Sequence, residues 1–215
     1  MEGFVMEHKK TKIAVIDYES GNVRSVCKAL EFLGRTAVLV NSRSEILGAD
    51  GVVLPGVGAF GDCAFKLKKY GVWDVVFEVV EKDKPFLGIC VGHQLLFERG
   101  YEFGEHAGFG FIRGEVKRFP SKKGFKVPHM GWNSIDIEEN RLFKGIESGS
   151  YFYFVHSYFG RSEDGSEIAR CNYIVDFTAA VNKGNLWGVQ FHPEKSQKKG
   201  LKLLDNFCKV CEGDL

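Results

Sequence analysis

Phe86-Leu87-Gly88-Ile89-Cys90-Val91-Gly92-His93-Gln94-Leu95-Leu96-Phe97 decides how this chain is read. A short apolar run leads into a cysteine with a glycine two residues to either side. A second apolar run follows. The spacing predicts strand, sharp turn and helix, with Cys90 at the apex and the helix carrying Leu95-Leu96-Phe97. G-x-C-x-G is the thiol form of the nucleophile elbow, in which glycines allow a tight turn around a reactive residue. Just ahead of a first helical turn, unpaired N–H groups and the helix dipole favour a thiolate. The Val91 N–H is placed to help hold an oxyanion. A buried inert cysteine is the commoner fate of this residue type. The flanking glycines, with a strand before and a helix after, favour the reactive reading.

Toward the N-terminus, Lys12–Asp17 reads as a buried strand ending in the loop Tyr18-Glu19-Ser20-Gly21-Asn22. Val23, Val26, Cys27, Leu30 and Leu33 then mark one helix face, closed by Gly34. Thr36–Val40 is a second strand, and Ser42-Arg43-Ser44-Glu45 is a capping box. Gly51–Leu54 is a third strand, ending at Pro55-Gly56-Val57-Gly58. A helix over Val72 to Glu81 precedes the strand at Phe86. Nearly all-apolar strands alternating with helices argue a parallel sheet covered on both faces.

After about Glu102 the runs become short and alternating, as in Glu115–Phe119, Ser134–Ile137 and Tyr151–Val155. Thr178–Val181 and Leu186–Phe191 flank Asn182-Lys183-Gly184-Asn185 as a hairpin. Ser196 fits as N-cap of a last helix running to about Cys211. The expected fold is α/β, a mostly parallel central sheet flanked by helices with an added antiparallel region. Residues 1–11 read as an extension and 12–215 as a single domain.

In such a sheet ligands sit beyond the carboxyl ends of the strands, so the loops at Tyr18, Pro55 and Cys90 share a rim. His192-Pro193-Glu194 also follows a strand. In an extended segment, side chains at i and i+2 leave the same face, so the carboxylate can orient the imidazole. On its own, His-Pro-Glu is a surface loop. Beside an elbow cysteine it completes the parts of a cysteine-based acyl-transfer enzyme. Pro55-Gly56-Val57-Gly58 offers a second oxyanion amide, although as a motif it is an ordinary βα turn.

Bulk composition excludes other classes. The chain has 215 residues, 44% of them hydrophobic, enough for a substantial core. Its 29 basic and 28 acidic side chains give a net charge of +1, with no long basic block, which argues against a nucleic-acid partner. No apolar run approaches the ~18 residues of a membrane span. Residues 1–10 lack a signal-peptide stretch, so the expected compartment is the cytoplasm. Of six cysteines, Cys208 and Cys211 form C-x-x-C. No second pair stands near for zinc, and helical spacing with Leu201 and Leu204 turns both toward the core. No metal or other cofactor is expected.

Taken together, these motifs resemble the class I (triad) glutamine amidotransferases and, more narrowly, the glutaminase subunits of imidazole glycerol phosphate synthase. The likeness covers nearly everything after Lys12. Its further marks are Asp17-Tyr18 with Gly21-Asn22, Phe60-Gly61, Pro128-His129-Met130-Gly131-Trp132-Asn133, Tyr153–Tyr158 and Gln190–Ser196. The resemblance implies that glutamine is hydrolysed to glutamate and ammonia through a thioester on Cys90. His192 would be base and then acid, oriented by Glu194. Val57, Gly58 and Val91 would hold the oxyanion. Gly58, Gln94, Glu102, Ser157 and Tyr158 would bind glutamine, with Glu102 receiving its amino group.

It also implies a (β/α)8-barrel cyclase subunit in a heterodimer. That subunit would use the ammonia to make imidazole glycerol phosphate and an aminoimidazole carboxamide ribotide. Pro128, His129, Met130, Trp132, Asn133, Tyr153 and Lys195 would face it. His93 departs from the pattern, since the subfamily more often carries Met there. Two other readings stay open on sequence: the same chemistry serving a partner in surface-sugar amidation, and a catalytically silent binding subunit.

Overall fold

The computed structural model describes residues 11–215; residues 1–10 of the expected extension lie outside the described residues. The first half of the chain alternates as the apolar runs predict. β1 (Lys12–Ile16), α1 (Val23–Phe32), β2 (Thr36–Val40), α2 (Arg43–Leu47), β3 (Gly51–Gly56), α3 (Phe60–Lys69), α4 (Trp73–Glu81) and β4 (Phe86–Cys90) lead to a four-residue helix, α5 (Val91–Gln94). Then come β5 (Phe97–Gly100), β6 (His106–Ala107), β7 (Ile112–Arg118), β8 (His129–Ser134), β9 (Asp136–Ile137), β10 (Tyr151–His156), β11 (Tyr158–Ser162), β12 (Glu167–Asn172), β13 (Asp176–Lys183), β14 (Leu186–Val189) and α6 (Gln197–Glu212).

The main sheet has eight strands in the order β2-β1-β3-β4-β14-β13-β12-β9. Its neighbours from β2 through to β14 are parallel, and the remaining pairs are antiparallel. β11-β7-β5-β6 form a second sheet, and β8 with β10 an antiparallel ribbon. Helix α1 packs with α6, and α4 with α2 and α3. Val52, Val53, Leu54, Phe86, Leu87 and Ile89 are accordingly buried. Each such large side chain contributes about 1.5–3 kcal/mol relative to exposure. Cys208 and Cys211 are free thiols on α6, Cys208 buried and Cys211 half-buried, as the helical spacing implied.

Parallel register sets the rim. Gly56 at the end of β3 lies beside Cys90 at the end of β4, and Val189 at the end of β14 lies beside Ile89. The loop after β3, the cysteine and the segment leading to His192 therefore leave the sheet together.

Three local expectations need correction. The helix after Cys90 ends at Gln94, and Phe97 opens β5. Leu95, Leu96 and Phe97 are fully buried in either geometry, and an apolar run alone does not distinguish a buried helix from a strand. Ser196 is the N-cap residue of α6, as expected, but its hydroxyl makes no cap bond. It donates to the His192 carbonyl at 2.6 Å and accepts from the Tyr153 N–H at 3.0 Å. Finally, Pro193–Lys195 is a 3-10 turn and not an extended segment. Proline's fixed φ suits the first position of such a turn.

Candidate active site

Cys90 sits at φ 56°, ψ −109°, a left-handed backbone that L side chains seldom adopt. Glycines permit it. A Cβ on Gly92 would lie 1.9 Å from the Leu54 carbonyl oxygen, and one on Gly88 would lie 2.6 Å from the Gly92 oxygen. The turn is thus wedged against β3 at a spacing that excludes any side chain. The one-turn α5 is too short for a full macrodipole, so the expected dipole support for a thiolate is small. The charged group next to the sulfur is instead the His192 imidazole.

His192 is buried, and its Nδ1–H donates to Glu194 Oε1 at 2.9 Å, with both side chains shielded from solvent. This fixes the tautomer and leaves Nε2 as the proton-accepting nitrogen. Nε2 has no hydrogen-bond partner. Burial alone would lower the His192 pKa. The Cys90 sulfur and the Glu194 carboxylate beside it prevail and raise it to about 10. The 3-10 turn therefore achieves what the extended geometry was expected to do, and brings the acid onto the ring.

Cys90 and His192 open onto one cavity of about 430 Å³, a size suited to a small polar metabolite. Val57, Gly58, Val91, Gln94, Glu102, Ser157 and Tyr158 line it with them, which gathers the residues expected to hold glutamine and its oxyanion. Glu194 stands behind His192. Pro128, Phe103, Val155 and His156 complete the wall with Ala59. A larger hollow of about 850 Å³, formed by parts of 137–148 and the C-terminus, holds no thiol or imidazole.

Each wall group has its own support. Glu102 accepts from the Phe60 N–H at 2.9 Å, at the start of α3, and partial burial raises its pKa. Gln94 Nε2 donates to the Tyr158 carbonyl and to Gln190 Oε1, each at 3.0 Å. Gln190 Nε2 in turn lies 3.9 Å from Cys90 Sγ. Tyr18 donates its hydroxyl to the Pro55 carbonyl at 2.9 Å, and the Cys63 thiol faces the Val57 carbonyl at 3.7 Å. Gly58, at φ 104°, then carries the loop past the cavity.

Of the expected partner-facing set, Pro128, Met130, Trp132 and Lys195 are exposed, and Asn133 and Tyr153 partly so. Trp132 pairs with Tyr153 across β8 and β10, and the Lys195 ammonium lies over the Tyr153 ring. His129 is different. It is buried, stacked on Tyr173 and bonded to His156 at 3.0 Å, so it supports this face from beneath.

Two neighbours escaped sequence reading. Asn22 Nδ2 lies 2.5 Å from Glu194 Oε1, and Gln190 reaches the cysteine. Both stood inside recognisable motifs, yet their contacts span 172 and 100 residues of chain, beyond any local spacing rule. His93 lies outside the cavity wall, fully buried against Phe97, with neither ring nitrogen hydrogen-bonded.

Residues 14–211 match the family model for class-I glutamine amidotransferase. An imidazole glycerol phosphate synthase subunit HisH from Rhodopirellula baltica is 47% identical, over 91% of this chain and 96% of its own length. The protein of the same name from Desulfitobacterium hafniense is 50% identical, over 94% of this chain and 96% of its own. Among solved structures, PurLQS from Thermotoga maritima superposes with a TM-score of 0.73 at 20% identity, covering 94% of this chain and 99% of that one, a likeness of fold alone.

Proposed function

The chain belongs to the class-I glutamine amidotransferases, and from that premise we propose how its site works. It is the glutaminase subunit of an imidazole glycerol phosphate synthase. It hydrolyses glutamine to glutamate and passes the ammonia to a cyclase. That subunit forms imidazole glycerol phosphate, for histidine synthesis, and an aminoimidazole carboxamide ribotide.

In the proposed mechanism, Glu102 takes the α-ammonium of glutamine, a charge-assisted contact. The carboxamide then reaches Cys90. His192 holds the proton that Cys90 gives up, as its raised pKa allows. The thiolate adds to the carboxamide carbon, and the Val91 amide with an amide of the Val57–Gly58 loop binds the oxyanion. Collapse breaks the C–N bond as His192 protonates the departing nitrogen, leaving a thioester and ammonia. Water then attacks the thioester, with His192 as base, and the C–S bond breaks to release glutamate as the proton held on His192 returns to the Cys90 sulfur. Glu194 stabilises the imidazolium throughout. One observation carries this reading: a buried histidine has one nitrogen held by a carboxylate and the other free, on a cavity shared with a strained cysteine.

The partner is a (β/α)8-barrel cyclase that docks on Met130, Trp132, Tyr153 and Lys195, in the cytoplasm. Among the described residues no helix is long and apolar enough to cross a membrane. The Tyr153 carbonyl accepts from the His192 N–H at 2.9 Å, so pressure on this ribbon reaches the catalytic turn directly. Glutamate release should be slow for the subunit alone and strongly stimulated by the cyclase with its ribotide. A diazo analogue of glutamine should label Cys90 in the complex. An unlabelled, unstimulated complex would exclude the reading.

A further inference from the structure

We propose that Asn22 is a positioning residue for the acid–base pair, holding the Glu194 carboxylate in the plane that His192 requires. The inference rests on the glutaminase reading and extends it. Asn22 occupies the N-cap position of α1, where an Asn side chain ordinarily accepts from the second or third N–H of its helix. It makes no such bond. Its backbone is left-handed, at φ 74°, and its amide turns to the catalytic turn 172 residues away.

A carboxylate can only accept, so the atom 2.5 Å from Glu194 Oε1 is the donating Nδ2. The same Oε1 accepts the His192 Nδ1–H at 2.9 Å, while Glu194 Oε2 is buried without a partner. Asn22 is therefore the second of two donors fixing one oxygen. Without it the carboxylate is free to rotate and present Oε2 or leave the ring. Asn22 also lies 3.4 Å from His192 Nδ1 and so packs against both members of the pair. The other titratable groups acting on His192 and its surroundings are Cys90 on β4 and His156 on β10. A helix cap has been given over to the site.

Asn22→Gly tests this cleanly, because glycine accepts the left-handed backbone and no cap bond is lost. Asn22→Asp keeps the backbone tolerance and can cap, but sets a second carboxylate against the first. Both are made in the full chain and assayed with the cyclase. Asn22→Gly should lower kcat about 10- to 100-fold, the scale of a misplaced catalytic group, with the KM for glutamine and the melting temperature nearly unchanged. Asn22→Asp should fall further. Its acid limb in kcat against pH should move to higher pH, since adjacent carboxylates share a proton.

In proton NMR, the downfield His192 Nδ1–H signal should broaden in both variants. Wild-type kcat and an unchanged signal in Asn22→Gly would overturn the proposal, as would activity lost only in step with melting. If the wild-type complex itself released no glutamate, the glutaminase reading would fail. The Nδ1–H signal would still decide the role of Asn22.

Discussion

The two sides of the proposed catalytic site are held by different forces. Cys90 is positioned by shape: a left-handed residue wedged between β3 and α5, where Gly88 and Gly92 leave no room for a Cβ. His192 and Glu194 are positioned by polar bonds, to Asn22, to each other, to the Tyr153 carbonyl and, through the His192 carbonyl, to Ser196. Hard-core repulsion is steep and leaves the nucleophile one place to be. Hydrogen bonds are softer and can be retuned by what touches the β8–β10 ribbon. The nucleophile's side should therefore fail abruptly when altered, and the acid–base side by degrees.

The largest expected effect is the loss of the sulfur itself. Cys90→Ala should abolish glutamine-dependent turnover in the complex while sparing turnover supplied with ammonia, because cyclisation happens on the partner. Loss of both would place more of the chemistry on this chain. The same variant removes a major cause of the raised His192 pKa, so that group should titrate well below its present value of about 10 in NMR. Because the folded value lies above the ordinary 6.5, the ion pair's contribution to stability is complete below about pH 6.5. It is lost as the pH rises through about 10. Stability should accordingly decline over that window in the wild type and much less in Cys90→Ala.

Next is Gly92→Ala. The added carbon would meet backbone, 1.9 Å from the Leu54 oxygen, and β3 cannot move without breaking its register with β4. Overpacking of this kind costs about 3 kcal/mol, which a denaturant melt will detect. Glutaminase activity should fall by orders of magnitude. A stable, active Gly92→Ala would remove the claim that shape fixes the nucleophile.

The polar side should give way more gently. Ser196→Ala leaves the Tyr153 N–H and the His192 carbonyl without their hydroxyl partner, in a buried setting. Each unpaired group costs about 1–3 kcal/mol before water or relaxation relieves it. A kcat reduced about tenfold, with a partner-stimulated rate more affected than the basal one, is expected because the hydroxyl ties the proposed docking ribbon to the turn that carries His192. Equal losses in both rates would disconnect the two.

The same contrast explains what the sequence made legible. Shape leaves a local signature: Gly-Ile-Cys-Val-Gly after an apolar strand is enough to place an elbow, and the apolar runs at residues 13–16, 52–54 and 86–89 to place a parallel sheet. Polar positioning leaves none. Nothing near Asn22 announces Glu194, and Ser196 looks like a helix cap until the His192 carbonyl is seen to claim it. The length of α5 is not legible, because Leu95-Leu96-Phe97 is apolar in either a helix or a strand. His129 sat in a run of surface residues, and only the pairing of β8 with β10 turns it inward onto His156.

The smallest effect concerns His93, beside Cys90 yet held there chiefly by packing. Both of its ring nitrogens are buried without a hydrogen bond. Burial lowers its pKa to about 3, partly offset by the Thr178 backbone. A side chain held by shape should be replaceable by another of similar volume. His93→Met should therefore change kcat less than about twofold and stabilise the fold by about 1 kcal/mol at neutral pH, by relieving an unsatisfied polar group. The gain should grow with acid. The unfolded chain protonates this histidine near its ordinary 6.5 and the folded chain refuses the proton until about pH 3, so wild-type stability is lost as the pH falls below 6.5. Linkage puts the widening at about 2 kcal/mol between pH 7.5 and pH 5. His129 and His156, lowered by burial to about 4 and about 3, act with the same sign and leave part of the acid sensitivity in place. Urea melts of both proteins at the two pH values measure the gap. A constant gap would mean that the Thr178 backbone outweighs burial and lets the folded protein protonate His93, so that polar bonding as well as packing holds this side.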